Sequence, residues 1–522
     1  MKVYDFLSNY NSFSISFPEE FSHLREFYVK DNSPIKLFQK FQHFGARWEE
    51  IGEVFLMEKP DIIGISSLFT TYFEEVLKCA SLAKRMLKNV KVVVGGNHPS
   101  TDPEAFLGSD FVDFVVRGDG EIPFYKLLLS FEGKIPLSDV ENLSYKRGGK
   151  IVHNPVRLVE NIEMFHPVNL NGLSLKKYKR GNRRYVFIEF SRGCPFRCDF
   201  CSLHTKYGGR MRFRSPQKVV NEMEYLREEF NVDIFDFTDD YLIYSKREFK
   251  DFLKYVIESK KLKGIELCAT NGIPMEKLDR EILYLMKRAG FKDINISLVS
   301  TNKSSLKRMN RPSSVEIFER IYPTLVELDF FTTVYLIYGL EGEDWRDVLN
   351  SIFYLLKKRV LIGPSILYAT PGTGIYEKFS KGIPLKLLRS STASVLTENF
   401  TTRDLMTLFS ITRLANFLKR LVDNFDSLKY VEKRIRGISD GKFIVKGVKA
   451  PDELLLKFIF STEKIWGYRV LNKSDLLFEY FERKNFNHEI VKSFLKKLQS
   501  VKISGVKKVE KVMGKDVVSV YI

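Results

Sequence analysis

Apolar residues follow two different periods along this chain, and the switches between them divide it into three stretches. Residues 61–67 (DIIGISS) form a short apolar run, the mark of a strand buried on both faces. Over residues 74–87 the spacing becomes helical, with Val76, Leu77, Ala80, Ala83 and Leu87 on one face. Residues 91–96 (KVVVGG) and 111–117 (FVDFVVR) repeat the buried-strand pattern. Strands alternating with helices predict an α/β fold, here a doubly wound parallel sheet over residues 1–158. Such sheets bind ligands beyond the carboxyl ends of their strands. Ser66, Ser67, Gly95, Gly96 and the turn from Gly118 to Glu121 all fall at those ends, and the paired glycines allow close backbone approach.

The second stretch, residues 179–381, contains six strand patterns at 186–191, 234–238, 265–270, 294–299, 332–338 and 366–369. Helical patterns at 217–230, 245–259, 274–289, 315–328 and 345–358 separate most of them. Six such units predict a partial (β/α)6 version of the TIM barrel, with chemistry at the carboxyl ends of the strands. The third stretch, residues 382–522, predicts a small, mainly helical domain. It opens with an amphipathic helix over 402–422. From 475 to 522 it reads helix, helix, then two short strands around Gly505 and Gly514, an order that fits a winged-helix-like module.

Composition narrows the classes. Hydrophobic residues make up 44% of the 522, enough for large cores and too many for disorder. Lys and Arg exceed Asp and Glu by 83 to 65, giving +18, but no dense basic block concentrates the surplus beyond the locally basic 176–184. A nucleic-acid partner is therefore not expected. Five cysteines, an odd and sparse set, exclude a disulfide scaffold. Residues 1–11 show no secretory pattern and no apolar run reaches membrane-spanning length, so a cytoplasmic protein is expected.

The chemistry concentrates in Ser191-Arg-Gly-Cys-Pro-Phe-Arg-Cys-Asp-Phe-Cys201. Cys194, Cys198 and Cys201 stand at C-x3-C-x2-C spacing just past a strand. Three thiolates on one loop can hold three corners of a 4Fe–4S cluster and leave the fourth iron open. With His204 as a fourth ligand the same loop can hold zinc. Cys79 and Cys268 read as core thiols.

This loop resembles the cluster motif of the radical S-adenosylmethionine superfamily, including the aromatic residue, here Phe200, before the third cysteine. The resemblance implies that S-adenosylmethionine chelates the open iron and is cleaved reductively to a 5′-deoxyadenosyl radical. It assigns Asp239 and Asp240, at the end of the second barrel strand, to the methionine amine, and Ser300 to S-adenosylmethionine as well. The chain departs from the family pattern at Val299, where an acid is usual, and at Asn271, a place often basic. The strings 338–343 (YGLEGE) and 368–373 (YATPGT) resemble two later turns of the family.

The first stretch resembles the cobalamin-binding domain that precedes the barrel in one branch of that superfamily, through residues 61–67, Gly95-Gly96-Asn97-His98 and the 118–121 turn. Ser66, Ser67, Thr70, Gly95, Gly96, Gly118 and Glu121 would then line cobalamin, with Thr70 and Thr71 at its nucleotide tail. There is no Asp-x-His-x-x-Gly string, so cobalt would lack a protein imidazole, and His98 would be a loop residue beside the corrin. The implied cofactors are a 4Fe–4S cluster, S-adenosylmethionine and cobalamin. The implied reaction is anaerobic methylation of an unactivated carbon through methylcobalamin. A ring cyclase or oxidative rearrangement without net methyl transfer shares every motif, and an RNA-modifying enzyme is a third reading. Methylthio-transferring relatives carry further cysteines in the leading domain, where this chain has only Cys79. The expected partners are a small-molecule, lipid or peptide substrate and a low-potential electron donor of flavodoxin or ferredoxin type.

Overall fold

A computed structural model of the chain describes residues 2–7, 12–28, 37, 41–165, 170, 173–423, 435–439, 442–446, 466–472, 475–480, 485–498, 500–501 and 503–506. In the first stretch, strands Ile62–Ser66, Lys91–Gly95 and Phe114–Val116 pair in parallel, in chain order. Alternating valines decide what covers them. Val92 and Val94 share a core with helices Trp48–Glu58 and Phe73–Met86 through Ile51, Phe55, Ala80 and Ala83, and with Phe106 of helix Pro103–Leu107. Val93 and Val116 face helix Glu121–Phe131 through Leu127. Lys91–Gly95 and Phe114–Val116 are thus covered on both faces, whereas Ile62–Ser66, expected to be buried, is the edge strand and only half-buried, with Gly64 and Ser66 exposed.

Two antiparallel strands, Leu143–Arg147 and Lys150–His153, extend this sheet. Their signal is the Gly148-Gly149 pair, both at positive φ (58° and 77°), which makes the tight hairpin that joins them.

The barrel has its six parallel strands: Arg183–Ile188, Ile234–Phe237, Glu266–Cys268, Asp293–Val299, Phe331–Tyr338 and Leu361–Ile366. Single bridges at Leu267–Phe291 and Ile273–Ile296 join the first three to the last three. The sixth strand lies earlier than its pattern at 366–369 suggests. Gly363-Pro364 looks like a turn, but proline, which has no N–H, is tolerated on an edge strand. That edge is then covered. Helix Thr402–Asp423 packs along it, and the Asn416 side chain pairs with both backbone groups of Ile362, at 3.0 and 2.7 Å.

The fully buried Lys419 donates to the carbonyls of Leu355, Leu356, Lys358 and Ser504, tying the same helix to the chain's last described residues. The beginning of the chain also reaches the barrel. Phe21, Leu24 and Phe27, from the turn Glu19–Phe27, join the barrel core. Phe27 lies 6.2 Å from Phe486, and Asn485 donates to the Glu26 carbonyl at 2.7 Å.

The C-terminal stretch differs from the mainly helical expectation by holding a sheet. Asp475–Tyr480, expected to begin a helix, is a strand. It pairs with Lys442–Lys446 and Trp466–Asn472 in a four-stranded antiparallel sheet completed by Ile435–Ser439. Six residues of mixed apolar pattern are too few to separate the two periods. The second expected helix is found at His488–Leu498; Gly505 is irregular, and Gly514 lies outside the described residues. Among the described residues no helix is long and apolar enough to cross a membrane.

Candidate active site

The cysteine loop leaves the barrel through a two-stranded ribbon in which Ser191–Arg192 pairs with Arg212–Phe213. Gly193 makes the turn at φ +98°, where a Cβ would sit 2.1 Å from the Arg210 carbonyl. The loop then packs on residues 309–311. The Asp199 amide donates to the Met309 carbonyl at 3.3 Å, and Asn310 donates to the Asp199 carboxylate at 2.9 Å. The Cys201 amide closes back on the Cys198 carbonyl at 2.9 Å.

Burial is the largest effect on all three thiols and raises them, Cys201 to about 11. Cys194 and Cys198 raise Cys201 further, so the three sulfurs feel one another's charge. Three crowded, buried thiols need positive charge to ionise, which fits iron–sulfur ligation. Arg311, which the sequence did not single out, supplies one fixed cation. It stands 4.0 Å from the Cys198 sulfur, anchored on the Ser297 carbonyl at 3.1 Å and the Ser313 hydroxyl at 3.3 Å.

The other expected residues divide. Asp239 is buried and committed to the Phe190 amide and to both the amide and hydroxyl of Ser191. Ser300 is buried too and donates to Glu343. Phe200 packs on the group containing Val299, Leu306 and Met309. Val299 stands at φ +72°, costly for a β-branched residue and concentrated by proteins at functional sites.

Asp240 is solvent-accessible, yet burial is still the main effect raising its carboxyl, as expected on a cavity wall. Tyr368 is 48% exposed beside Cys201, and burial raises its hydroxyl in the same way. Phe187 is 64% exposed; its strand is paired along Ile234–Phe237 on one side and only at Arg183 and Arg184 on the other. Asp240, Tyr368 and Phe187 all stand at or near the carboxyl ends of barrel strands, in the barrel mouth. Its floor is polar: Asp236 accepts from the Tyr185 hydroxyl and from the Thr270 amide and hydroxyl, and Glu266 gathers Arg180, Arg183 and Lys292.

Facing this mouth is the rim of the first sheet. Gly96 adopts φ +126° because a Cβ there would meet the Ser67 carbonyl at 2.4 Å. Gly95 has its nearest such neighbour at 3.7 Å, so chain packing does not require it. Ser66 is exposed, Ser67 and Thr70 are buried, and the Ser67 hydroxyl has no protein partner. Leu68, Phe69 and Tyr72 expose apolar surface beside them. An orphaned hydroxyl, an uncrowded glycine and exposed aromatic surface suit a large ligand with an apolar plane and polar edges, as cobalamin is.

His98 differs from expectation. It lies on helix Asn97–Thr101, buried between Phe73 and Phe106, and burial lowers its imidazole to about 4. It belongs to the core, not to a loop beside a corrin. Glu121 is held by Arg192 at 2.7 Å, and Gly118 turns at φ +66° with its amide on Ser100 at 2.9 Å.

Rim and cluster loop touch. Helix Leu203–Tyr207, which follows Cys201, reaches the rim through Lys206, whose ammonium donates to the Asn97 side-chain carbonyl at 2.6 Å. A separate cavity of about 590 Å³, lined by Lys91, Asp113, Tyr145 and Arg147 among others, opens at the amino ends of the first sheet's strands. It is therefore remote from this chemistry.

Comparisons with known proteins agree with the geometry. The family model described as the Radical SAM superfamily matches residues 188–355, and that of the B12 binding domain matches residues 40–128. An uncharacterized methyltransferase of Pyrococcus horikoshii is 28% identical over 334 residues, 63% of this chain and 72% of that protein. The anaerobic magnesium-protoporphyrin IX monomethyl ester cyclase of Synechocystis is 25% identical over 54% of this chain and 56% of that protein. The chain thus spans little more than half the cyclase's length. Among solved structures, the radical S-adenosylmethionine methyltransferase TsrM from Kitasatospora setae, with tryptophan and a SAM analogue bound, superposes with TM-score 0.53 at 19% identity. It covers 64% of this chain and 68% of that one. The cobalamin-dependent enzyme OxsB superposes with TM-score 0.56 at 17% identity, over 75% and 63%. These two establish a shared fold.

Proposed function

The chain belongs to the radical S-adenosylmethionine enzymes that carry a leading B12-binding domain, and on that premise we propose that it methylates an unactivated carbon, the methyl group being carried on cobalamin. The observation that carries this reading is the contact between Lys206 and Asn97. It joins the helix following the third cysteine to the helix following the paired glycines, so the cysteine loop and the glycine rim lie side by side, as a substrate that must reach both cofactors requires. Bound there, the cluster with S-adenosylmethionine supplies a carbon-centred radical, and cobalamin supplies the methyl group.

The chain's own residues supply position. Cys194, Cys198 and Cys201 would hold three irons of the cluster, leaving the fourth for S-adenosylmethionine. Arg311 offers a fixed cation to the carboxylate of S-adenosylmethionine, and Asp240 an accessible acid to its amine. Gly95 leaves room at the rim. Phe187 and Tyr368 present rings to the substrate and limit water around the reacting carbon.

Ring closure without net methyl transfer is the second reading, favoured by the match to the Synechocystis cyclase. Either reaction calls for a low-potential donor of flavodoxin or ferredoxin type and an anaerobic, cytoplasmic setting.

The test is anaerobic reconstitution with iron, sulfide and hydroxocobalamin, followed by S-adenosylmethionine and reductant. Mass spectrometry then reads 5′-deoxyadenosine, S-adenosylhomocysteine and methylcobalamin. All three products, with 5′-deoxyadenosine lost in Cys198→Ala, support methyl transfer. 5′-Deoxyadenosine alone supports ring closure. A zinc-loaded protein that makes none of them overturns both.

A further inference from the structure

We propose that Asp119 is a positioning residue that locks the cobalamin turn to the cluster loop, so that occupancy of one cofactor site is felt at the other; this rests on the reading above. Asp119 sits in the 118–121 turn at the rim, its side chain 1% exposed. Both carboxylate oxygens are taken, and by other parts of the chain. Arg192 reaches one at 3.3 Å; Arg212 and the Val159 amide, at 3.0 Å, reach the other.

These two arginines are not arbitrary partners. Arg192 and Arg212 face each other in the ribbon that closes the base of the cysteine loop. All three cysteines and Lys206 lie between them in sequence. Two guanidinium groups side by side repel, and Asp119 is the buried charge that lets them stay paired. Burial alone would raise its carboxyl, but Arg212, the Val159 amide and Arg192 outweigh that and hold it below the ordinary value.

The link is stiff at both ends. On the rim side, Asn142 holds the Asp119 carbonyl at 3.1 Å, and Glu121 takes a second arm of Arg192 at 2.7 Å. On the barrel side, Glu189 takes the Arg192 Nε at 2.8 Å, and Arg212 stacks 5.2 Å over the Tyr207 ring. A buried charge network is a costly way to glue two surfaces, since well-packed apolar residues do as well or better. What it adds is fixed geometry. Any displacement of the 118–121 turn by arriving cobalamin must move the arginine pair, of which Arg192 stands two residues before Cys194.

Glue and coupling predict different results. The full chain is reconstituted with cluster, and the EPR spectrum and midpoint potential of the reduced cluster are recorded with and without hydroxocobalamin. Cobalamin uptake is followed by absorbance. In the wild type, cobalamin binding shifts both cluster readouts. Asp119→Asn at saturating cobalamin loses the shift while keeping cluster and cobalamin. Should that variant fail to fold, Arg192→Lys, which keeps the charge but cannot span Asp119, Glu121 and Glu189 together, serves instead and shows a reduced shift. A wild-type cluster indifferent to cobalamin, or a variant that folds and keeps the full shift, overturns the proposal. A wild type that takes up no cobalamin at all sinks the functional reading itself, and this inference with it.

Discussion

The Ser191 hydroxyl donates to Asp239 at 2.6 Å, and the Ser191 and Phe190 amides share the same carboxylate. This acid braces the ribbon that carries the cysteine loop through three donors, while its exposed neighbour Asp240 takes only the Gly193 amide from it. The two should separate on substitution. Asp239→Asn is expected to cost about 1–3 kcal/mol of stability and to lower iron content. Asp240→Asn should leave both unchanged and raise the KM for S-adenosylmethionine about tenfold, near 1.4 kcal/mol. Melting curves, iron assays and initial rates check this; equal iron loss in both variants would refute the division.

Buried carboxyls set a pH trend. Burial pushes both Asp239 and Glu343 up to about 7. Between their ordinary values near 4 and that point, the folded chain holds protons that the unfolded chain has released. Their contribution to stability therefore falls as pH rises through this window and is level above it. Glu343→Gln removes one such group. Its melting temperature, relative to wild type, should climb from about pH 4.5 to 7. A difference that stays flat across this range contradicts the assignment.

Gly95 and Gly96 are adjacent but constrained differently. Gly96→Ala places a Cβ 2.4 Å from the Ser67 carbonyl at φ +126°, and should destabilise the chain by roughly 1–3 kcal/mol. Gly95→Ala meets nothing closer than 3.7 Å. It should melt like wild type and still bind cobalamin more weakly, because only a ligand needs the space. Differential scanning fluorimetry paired with cobalamin titration distinguishes them, and unchanged cobalamin affinity in Gly95→Ala removes that glycine from the site.

Arg311 should act on S-adenosylmethionine through charge. Arg311→Gln is expected to raise its KM by about tenfold or more, with cluster absorbance intact. Loss of the cluster instead would assign Arg311 to supporting Cys198.

The sequence displayed what lies in one contiguous run. The barrel strands and helices carry strong periods over lengths that separate helix from strand. The cysteine loop and its aromatic Phe200 are a single string. What stayed hidden joins distant positions or breaks a local rule. Leu361–Ile366 was obscured by a proline that only an edge strand accepts. His98 follows two glycines like a loop residue, yet its ring fills the gap between Phe73 and Phe106. Asp239 and Asp240 are indistinguishable as letters, and only the path of the ribbon separates their tasks. Arg311 and the Asp119–Arg192 pair could not be read at all, since no pattern within either segment points to the other.

The tie between Asn485 and the Glu26 carbonyl, with Phe27 against Phe486, has a bearing on synthesis. Glu26 leaves the ribosome 459 residues before Asn485, the side chain that ties it down. Until residue 486 emerges, Phe27 lacks the Phe486 ring that lies beside it. Truncation from the far end should thus uncover a sticky site near the beginning, and a chaperone that holds the emerging chain would find its grip there.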